Sequence, residues 1–139
     1  MSKRIVIAEE IADAGLDRLR SAGFIVDVQL NKSAGELHAI LDGAHALIVR
    51  SATMVDAAML AAGKQLVVVA RAGVGLDNID VEAATKQGVM VVNAPQSNVL
   101  SAAEHTMALI LSIARNVPQA HSALTAGRWE RSKWEGIEL

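Results

Sequence analysis

The chain of 139 residues has the length of one ordinary domain, and its hydrophobic content of 52% is enough to build a core without disulfides or metal ions. It contains no cysteine, which excludes a disulfide framework and favours a cytoplasmic setting. Its net charge of −2 argues against the basic surface typical of nucleic-acid binding, and we expect no signal peptide and no membrane-spanning segment.

The first half of the chain alternates apolar runs with segments of helical periodicity. Apolar residues recur at helical spacing from Ile11 to Leu19, and Gly23 is placed to end that helix. A second helix is predicted to begin at a capping box of Ser33 and Glu36, because the apolar residues that follow keep a helical spacing. The strands predicted around these helices are Arg4–Ala8, Phe24–Leu30 and Ala46–Val49.

The same alternation continues towards residue 97. A short helix is predicted at Asp56–Ala62, ending at Gly63, and a further helix lies between its cap Asp80 and its terminator Gly88. The remaining predicted strands are Leu66–Ala70 and Val89–Val92. The first of these is an apolar run typical of a strand buried on both faces. Short connections between strands and helices predict an α/β fold of the flavodoxin-like or Rossmann-like type, a parallel five-stranded sheet with helices on both faces.

After residue 97 the sequence changes character. Ser101 and Glu104 have the spacing of another capping box, and the predicted helix Ala102–Arg115 is apolar all round. Such a helix must be buried on more than one side, so we expect a homo-oligomer in which it contacts a partner. A short helix at Gln119–Thr125 and a charged arm with two tryptophans follow. The predicted parts are a domain of residues 1–97 and a crossover helix with its arm over residues 98–139.

Polar residues collect where the predicted parallel strands reach their carboxyl ends. Ligands bind at that edge of an open parallel sheet, so Arg50 and Arg71 are expected to converge there beside a glycine loop. Arginine presents a planar fork that matches carboxylate and phosphate, and the predicted ligand is therefore a small acid. The alternative is that the arginines pair with carboxylates such as Asp77 or Asp80. The residues at this edge are Glu9, Arg50, Ser51, residues 71–75, Asn93 and the loop to Asn98.

Other kinds of chemistry have little support. The loop runs Gly73-x-Gly75-x-x-Asn78, so it lacks the third glycine of a dinucleotide fingerprint. No serine lies in a nucleophile-elbow pattern, and no acid pair is placed for acid–base catalysis. The histidines show no metal-ligand spacing, so no metal site is expected: His38, His45, His105 and His121. Composition and spacing alone predict an anion-binding α/β domain without a catalytic residue.

Several segments resemble the D-isomer-specific 2-hydroxyacid dehydrogenases, a family of NAD-dependent enzymes. They are LIVRSAT (Leu47–Thr53), VARAGVGLDNIDVEAATKQGVMVVNAP (Val69–Pro95), SNVLSAAEHTMALIL (Ser97–Leu111) and GRWERSKWEGIEL (Gly127–Leu139). The similarity covers essentially the whole chain and favours the members that act on 3-phosphoglycerate. It implies the N-terminal, substrate-binding portion of an enzyme that oxidises 3-phosphoglycerate to 3-phosphohydroxypyruvate with NAD, the first step of L-serine biosynthesis.

The resemblance also implies roles for individual residues. Arg50 and Arg71, with Ser51 beside the first, match positions that hold the anionic groups of the substrate. Asn98 matches a position near the substrate. The backbone expected to receive the substrate carboxylate is that of Ala72, Gly73, Val74 and Gly75.

Cofactor and partner contacts are implied in the same way. Val74 matches a position beside the nicotinamide of NAD, while Arg131 and Lys133 lie in an arm that, in similar dimers, reaches the site of the other subunit. The family's complete glycine fingerprint and its catalytic arginine, glutamate and histidine have no match within Met1–Leu139. We therefore expect a portion of a longer dehydrogenase, with NAD bound mainly elsewhere and no activity in this chain alone.

Three alternatives remain at this level. The chain resembles family members that use other 2-hydroxy acids, such as glycerate or lactate. It also fits a stand-alone module that binds a phosphorylated acid, which needs no second domain. A receiver-type signalling domain shares the alternating architecture but needs a phosphorylatable aspartate after its third strand, where this chain has Arg50.

Overall fold

The computed structural model describes residues 2–139, which divide into two compact units, residues 2–97 and residues 98–139. The first unit contains strands β1 (Arg4–Ile7), β2 (Ile25–Val28), β3 (Ala46–Val49), β4 (Val68–Arg71) and β5 (Met90–Asn93). Its helices are α1 (Asp13–Ser21), α2 (Ala34–Ile40), α3 (Ala57–Ala62) and α4 (Val81–Gln87). The second unit contains α5 (Val99–Ala114), α6 (Val117–Thr125) and a 3₁₀ turn (Arg131–Trp134).

The five strands form one parallel sheet in the order β2-β1-β3-β4-β5. Strand β2 lies on one side of β1 in the sheet. The chain then crosses back over β1, and β3, β4 and β5 follow in order on its other side. Because parallel crossovers are right-handed, this reversal places α1 on one face of the sheet and α2, α3 and α4 on the opposite face. The predicted α/β fold is confirmed, and its topological switch point lies between β1 and β3.

The main core fills the sheet face beneath α2, α3 and α4. Val6, Leu47 and Val69 are fully buried there, because alternate strand residues point to the same side. Ile7 points to the other face and is also buried, whereas Met90 in the edge strand β5 remains 64% exposed. Only α1 covers that second face within the first unit, and it contacts β2.

The fourth strand departs from its prediction. It runs from Val68 to Arg71, so Leu66 precedes it, and it was predicted to be buried on both faces. Only Val69 is fully buried, while Val68 and Ala70 keep part of their surface exposed on the face that no helix of this unit covers near β4. The prediction of burial on both faces is therefore wrong for the chain as it stands.

Helix ends in the first unit follow local sequence closely. Ser33 and Glu36 form the predicted capping box at the start of α2. The Asp56 and Asp80 side chains accept hydrogen bonds from the backbone N–H groups of the third residue beyond each, at the starts of α3 and α4. Gly88 ends α4 in the left-handed conformation, with φ of +73°, which glycine adopts without steric cost.

The start of α5 differs from the prediction. Asn98 is the N-cap residue, without a side-chain capping bond, and Ser101 lies inside the helix. The predicted capping box at Ser101 and Glu104 is wrong, because the apolar residues Val99 and Leu100 extend the helix by a further turn. The i, i+3 spacing of a serine and a glutamate also occurs within a continuous helix, so spacing alone does not locate a helix start.

Candidate functional site

Glu9 shapes the loop that follows β3. This residue lies just after β1, and its carboxylate accepts hydrogen bonds from the backbone N–H groups of Arg50 at 2.8 Å, Ala52 at 3.1 Å and Thr53 at 3.0 Å. Partial burial raises the pKa of Glu9, but the three backbone hydrogen bonds outweigh it and lower the pKa below its ordinary value. The charged carboxylate of Glu9 therefore holds the loop between β3 and α3 in its conformation.

The backbone carbonyl of Arg50 is held by residues of β4 and of the loop that follows β4. It accepts hydrogen bonds from Nε of Arg71 at 3.1 Å and from Nδ2 of Asn78 at 2.8 Å. The same Nδ2 also donates to the carbonyl of Thr53 at 2.7 Å. Asn78 is only 2% exposed, and its Oδ1 has no partner among the described residues. The peptide groups on both sides of Arg50 are thus fixed.

The side chain of Arg71 is mostly buried. It is only 11% exposed, its Nη1 donates to the carbonyl of Gly75, and the same nitrogen lies 3.4 Å from the carboxylate of Asp77. The pairing of this arginine with Asp77 agrees with the alternative raised by the sequence. In this conformation the guanidinium of Arg71 organises the glycine loop from within.

The side chain of Arg50 behaves differently. It is exposed, and it forms no ion pair with any residue in the range 2–139. Its one hydrogen bond, from Nη1 to the carbonyl of Glu10, is long at 3.4 Å. Its charge is therefore available to a ligand.

The glycine loop offers two free backbone donors. The N–H groups of Ala72 and Gly73 already donate to carbonyls within the unit, at 2.8 and 2.9 Å. The N–H groups of Val74 and Gly75 have no acceptor among the described residues. A Cβ atom on Gly75 would lie 2.7 Å from Nη1 of Arg71 and from Oδ1 of Asp77, so a larger residue here would displace the ends of both side chains.

An open cavity of about 530 Å³ lies where the loops after β1, β2 and β3 meet, and residues 71–75 are not part of its wall. Its wall includes the charged residues Glu9, Glu10, Lys32 and Arg50. Since the carboxylate of Glu9 is already bonded to three amides, its negative charge is partly compensated by the loop. The cavity is consistent with a small polar ligand rather than a large apolar one.

The remaining predicted residues lie as follows. Ser51 is exposed in the loop after β3, next to Arg50. Asn98 begins the second unit, where its side chain makes no capping bond. In the 3₁₀ turn of that unit, Lys133 lies 3.4 Å from Glu130 and 5.2 Å from the ring centre of Trp134, whereas Arg131 is exposed.

The described residues form neither a metal site nor a pyrophosphate loop. Within residues 2–139, no group of three or more His, Asp or Glu side chains is placed to hold a metal ion. The glycine loop lacks the third glycine of a dinucleotide fingerprint. Val74 in this loop is 42% exposed and leaves an apolar side chain at the surface.

Sequence reasoning missed the residues that organise the site. The sequence pattern puts Glu9 at the carboxyl edge of the sheet but assigns it no role, and it marks Asn78 only as the position of a missing glycine. A buried asparagine in a polar turn is a usable signal, because its amide must find hydrogen-bond partners and adjacent loops supply them. The inward turn of Arg71 depends on the loop conformation, which spacing does not specify.

Similarity to known proteins extends over nearly the whole chain. Residues 5–132 match the family model "D-isomer specific 2-hydroxyacid dehydrogenase, catalytic domain". A D-3-phosphoglycerate dehydrogenase from Archaeoglobus fulgidus is 46% identical over 136 residues, which are 98% of this chain and 26% of that protein. The chain thus spans about a quarter of the length of this curated relative.

Solved structures give the same result at the level of the fold. A protein from Thermus thermophilus superposes with a TM-score of 0.85 at 30% identity, over 98% of this chain and 45% of that one. A cofactor (NAD⁺)-bound 3-phosphoglycerate dehydrogenase from Entamoeba histolytica superposes with a TM-score of 0.74 at 28% identity, over 83% of this chain and 40% of that one.

No helix among residues 2–139 is long and apolar enough to cross a membrane.

Proposed function

Because the chain belongs to the D-isomer specific 2-hydroxyacid dehydrogenase family, we propose that it forms the substrate-binding portion of an NAD-dependent phosphoglycerate dehydrogenase. The reaction is the oxidation of 3-phosphoglycerate to 3-phosphohydroxypyruvate, the first step of L-serine biosynthesis. Relatives that carry the phosphoglycerate dehydrogenase name support this substrate, including one that is 46% identical over 98% of the chain.

The role of this chain is to bind and orient the acid. The observation that carries the proposal is the exposed and unpaired Arg50, which extends from a fixed backbone beside the free N–H groups of Val74 and Gly75. A guanidinium and two backbone N–H groups without an acceptor suit a ligand with two anionic groups. Arg50 would hold one group and the loop amides the carboxylate, while Arg71 keeps the loop in shape.

NAD would supply the acceptor for the hydride that leaves the substrate. Val74 would contact the nicotinamide, and the portion of the relatives that this chain does not span would hold the rest of the dinucleotide. The chain alone is therefore expected to form no NADH from 3-phosphoglycerate, because the catalytic arginine, glutamate and histidine implied by the resemblance have no match in its sequence.

Calorimetric titration of the chain with 3-phosphoglycerate, D-glycerate and D-lactate tests the substrate class. We expect 3-phosphoglycerate to bind most tightly, and Arg50→Ala to weaken it at least about tenfold, since a charge-assisted hydrogen bond contributes roughly 1.5–3 kcal/mol. Lys64→Ala, which alters an exposed lysine away from the cavity wall, is the control.

Other outcomes separate the alternatives. Equal or tighter binding of an unphosphorylated acid would favour a family member with a different substrate. The length of the gene product distinguishes a dehydrogenase portion from a stand-alone phospho-acid-binding module, because only the dehydrogenase needs a second domain.

A further inference from the structure

Arg50 is held by its backbone from two directions, and the two contacts differ in kind. Its N–H donates to the carboxylate of Glu9 at 2.8 Å. Its carbonyl accepts from Asn78 and Arg71, both of which belong to the next strand and its loop. Glu9 alone comes from the end of β1, across the switch point of the sheet.

We infer that Glu9 is a positioning residue for anion binding, which acts by fixing the backbone from which the Arg50 side chain extends. The inference rests on the proposed function, since it presupposes that Arg50 contacts an acid. Glu9 itself does not touch the ligand in this account.

Two geometric facts carry the inference. The carboxylate of Glu9 bonds three N–H groups within four consecutive residues, Arg50 to Thr53, so it sets the curvature of the whole loop. The Arg50 side chain has no ion pair within residues 2–139, and its one hydrogen bond there is the long one to the carbonyl of Glu10 at 3.4 Å. The point from which the side chain extends is therefore set by the backbone, and the backbone is set in part by Glu9.

The inference predicts an effect opposite in sign to simple electrostatics. Glu9 and Arg50 line the same cavity, so a negative charge at Glu9 repels an anionic ligand. If Glu9 acted only through its charge, its removal would tighten anion binding. If Glu9 positions Arg50, its removal weakens binding although a repulsive charge has gone.

The test is the dissociation constant of 3-phosphoglycerate for the chain and for Glu9→Ala and Glu9→Gln. We expect Glu9→Ala to weaken binding about tenfold, within the range of coupling between residues in one hydrogen-bond network. Glu9→Gln keeps the shape of the side chain but presents an amide nitrogen to one of the three N–H groups, so a smaller loss of a few-fold is expected. Glu9→Gln also provides the test if the Glu9→Ala variant fails to fold.

Two controls make the result specific. Glu82→Gln removes an exposed carboxylate of α4 that pairs with Lys86 and does not line the cavity, and it is expected to leave binding unchanged. In an Arg50→Ala background, a change at Glu9 is expected to cause no further weakening, because the side chain that it positions is absent.

The outcomes are distinguishable. Binding by Glu9→Gln as tight as wild type, or an equal loss in the presence and absence of the Arg50 side chain, overturns the positioning role alone. A wild-type chain that does not bind 3-phosphoglycerate overturns the proposed function, and the positioning role falls with it.

Discussion

Asn78 joins the two loops of the candidate site. Its Nδ2 donates to the carbonyls of Arg50 and Thr53, so one buried amide ties the loop after β3 to the loop after β4. A carboxylate cannot replace it, since oxygen atoms would then face two carbonyl oxygens. At the residue scale, the site depends on hydrogen-bond donors that the ligand never touches.

Asn78→Asp is expected to lower the free energy of unfolding by about 2–4 kcal/mol, because it loses both donations and buries a charge without a partner. The neighbouring Asp77→Asn is the matched control. Its carboxylate is 81% exposed and lies 3.4 Å from Arg71, so its loss is expected to change stability by less than about 1 kcal/mol. Urea unfolding measures both, and similar losses in the two variants would contradict the role given to Asn78.

Glu9 also makes stability depend on pH. Its pKa is lower in the folded chain than its ordinary value of 4.5, so the folded state binds fewer protons at acidic pH. The stability that Glu9 contributes is present above pH 4.5 and is lost as the pH falls through the lower folded pKa. The difference in unfolding free energy between wild type and Glu9→Gln should therefore shrink on acidification from neutral pH. A difference that stays constant with pH would show that the charge of Glu9 is not stabilised by folding.

Helix ends were the most predictable elements of the chain. The capping box at Ser33 and the cap at Asp80 follow from short-range spacing, and both are confirmed. The predicted box at Ser101 failed because nothing in that spacing excludes a helix that starts earlier. Strand β3 has its predicted bounds, whereas β2 is shorter than predicted because the apolar residues Phe24 and Leu30 lie beyond its paired residues.

Two glycines test whether element ends depend on backbone conformation. Gly88 ends α4 with φ of +73°, whereas Gly35 lies inside α2, and a Cβ on either meets no atom within 4 Å. Gly88→Ala is expected to lower the free energy of unfolding by about 1 kcal/mol through left-handed strain. Gly35→Ala is expected to raise it by about 0.5 kcal/mol. Thermal unfolding measures both, and changes of the same sign would contradict this reading.

Helix α5 has a large exposed apolar surface. Its exposed side chains include Met107, Leu109, Ile110, Leu111 and Ile113. A surface of this kind promotes association, so we expect the chain to self-associate as its concentration rises. Ile113→Glu changes the most exposed of these residues, at 72%, and is expected to reduce association with little effect on stability. Sedimentation velocity measures this, and a wild-type chain that stays monomeric throughout the concentration series would contradict it.

The architecture of the molecule was largely predictable, and the site was predictable only in position. Alternating apolar runs and helical stripes are enough to give a parallel sheet with its ligand edge, which brought Arg50 and the glycine loop together. Which arginine faces solvent depends on contacts between loops, such as those of Arg71 with Gly75 and Asp77. Contacts between loops produce no periodic pattern in the sequence, so the pattern does not predict them.

We propose that this chain by itself holds an acid at Arg50 and the glycine loop. The most direct measurement is a titration of 3-phosphoglycerate into isotopically labelled chain, followed by backbone amide chemical shifts. We expect saturable shifts that centre on Arg50, Val74 and Gly75 and that weaken in Arg50→Ala. Absence of shifts at millimolar ligand, or shifts confined to residues away from this edge of the sheet, would contradict it.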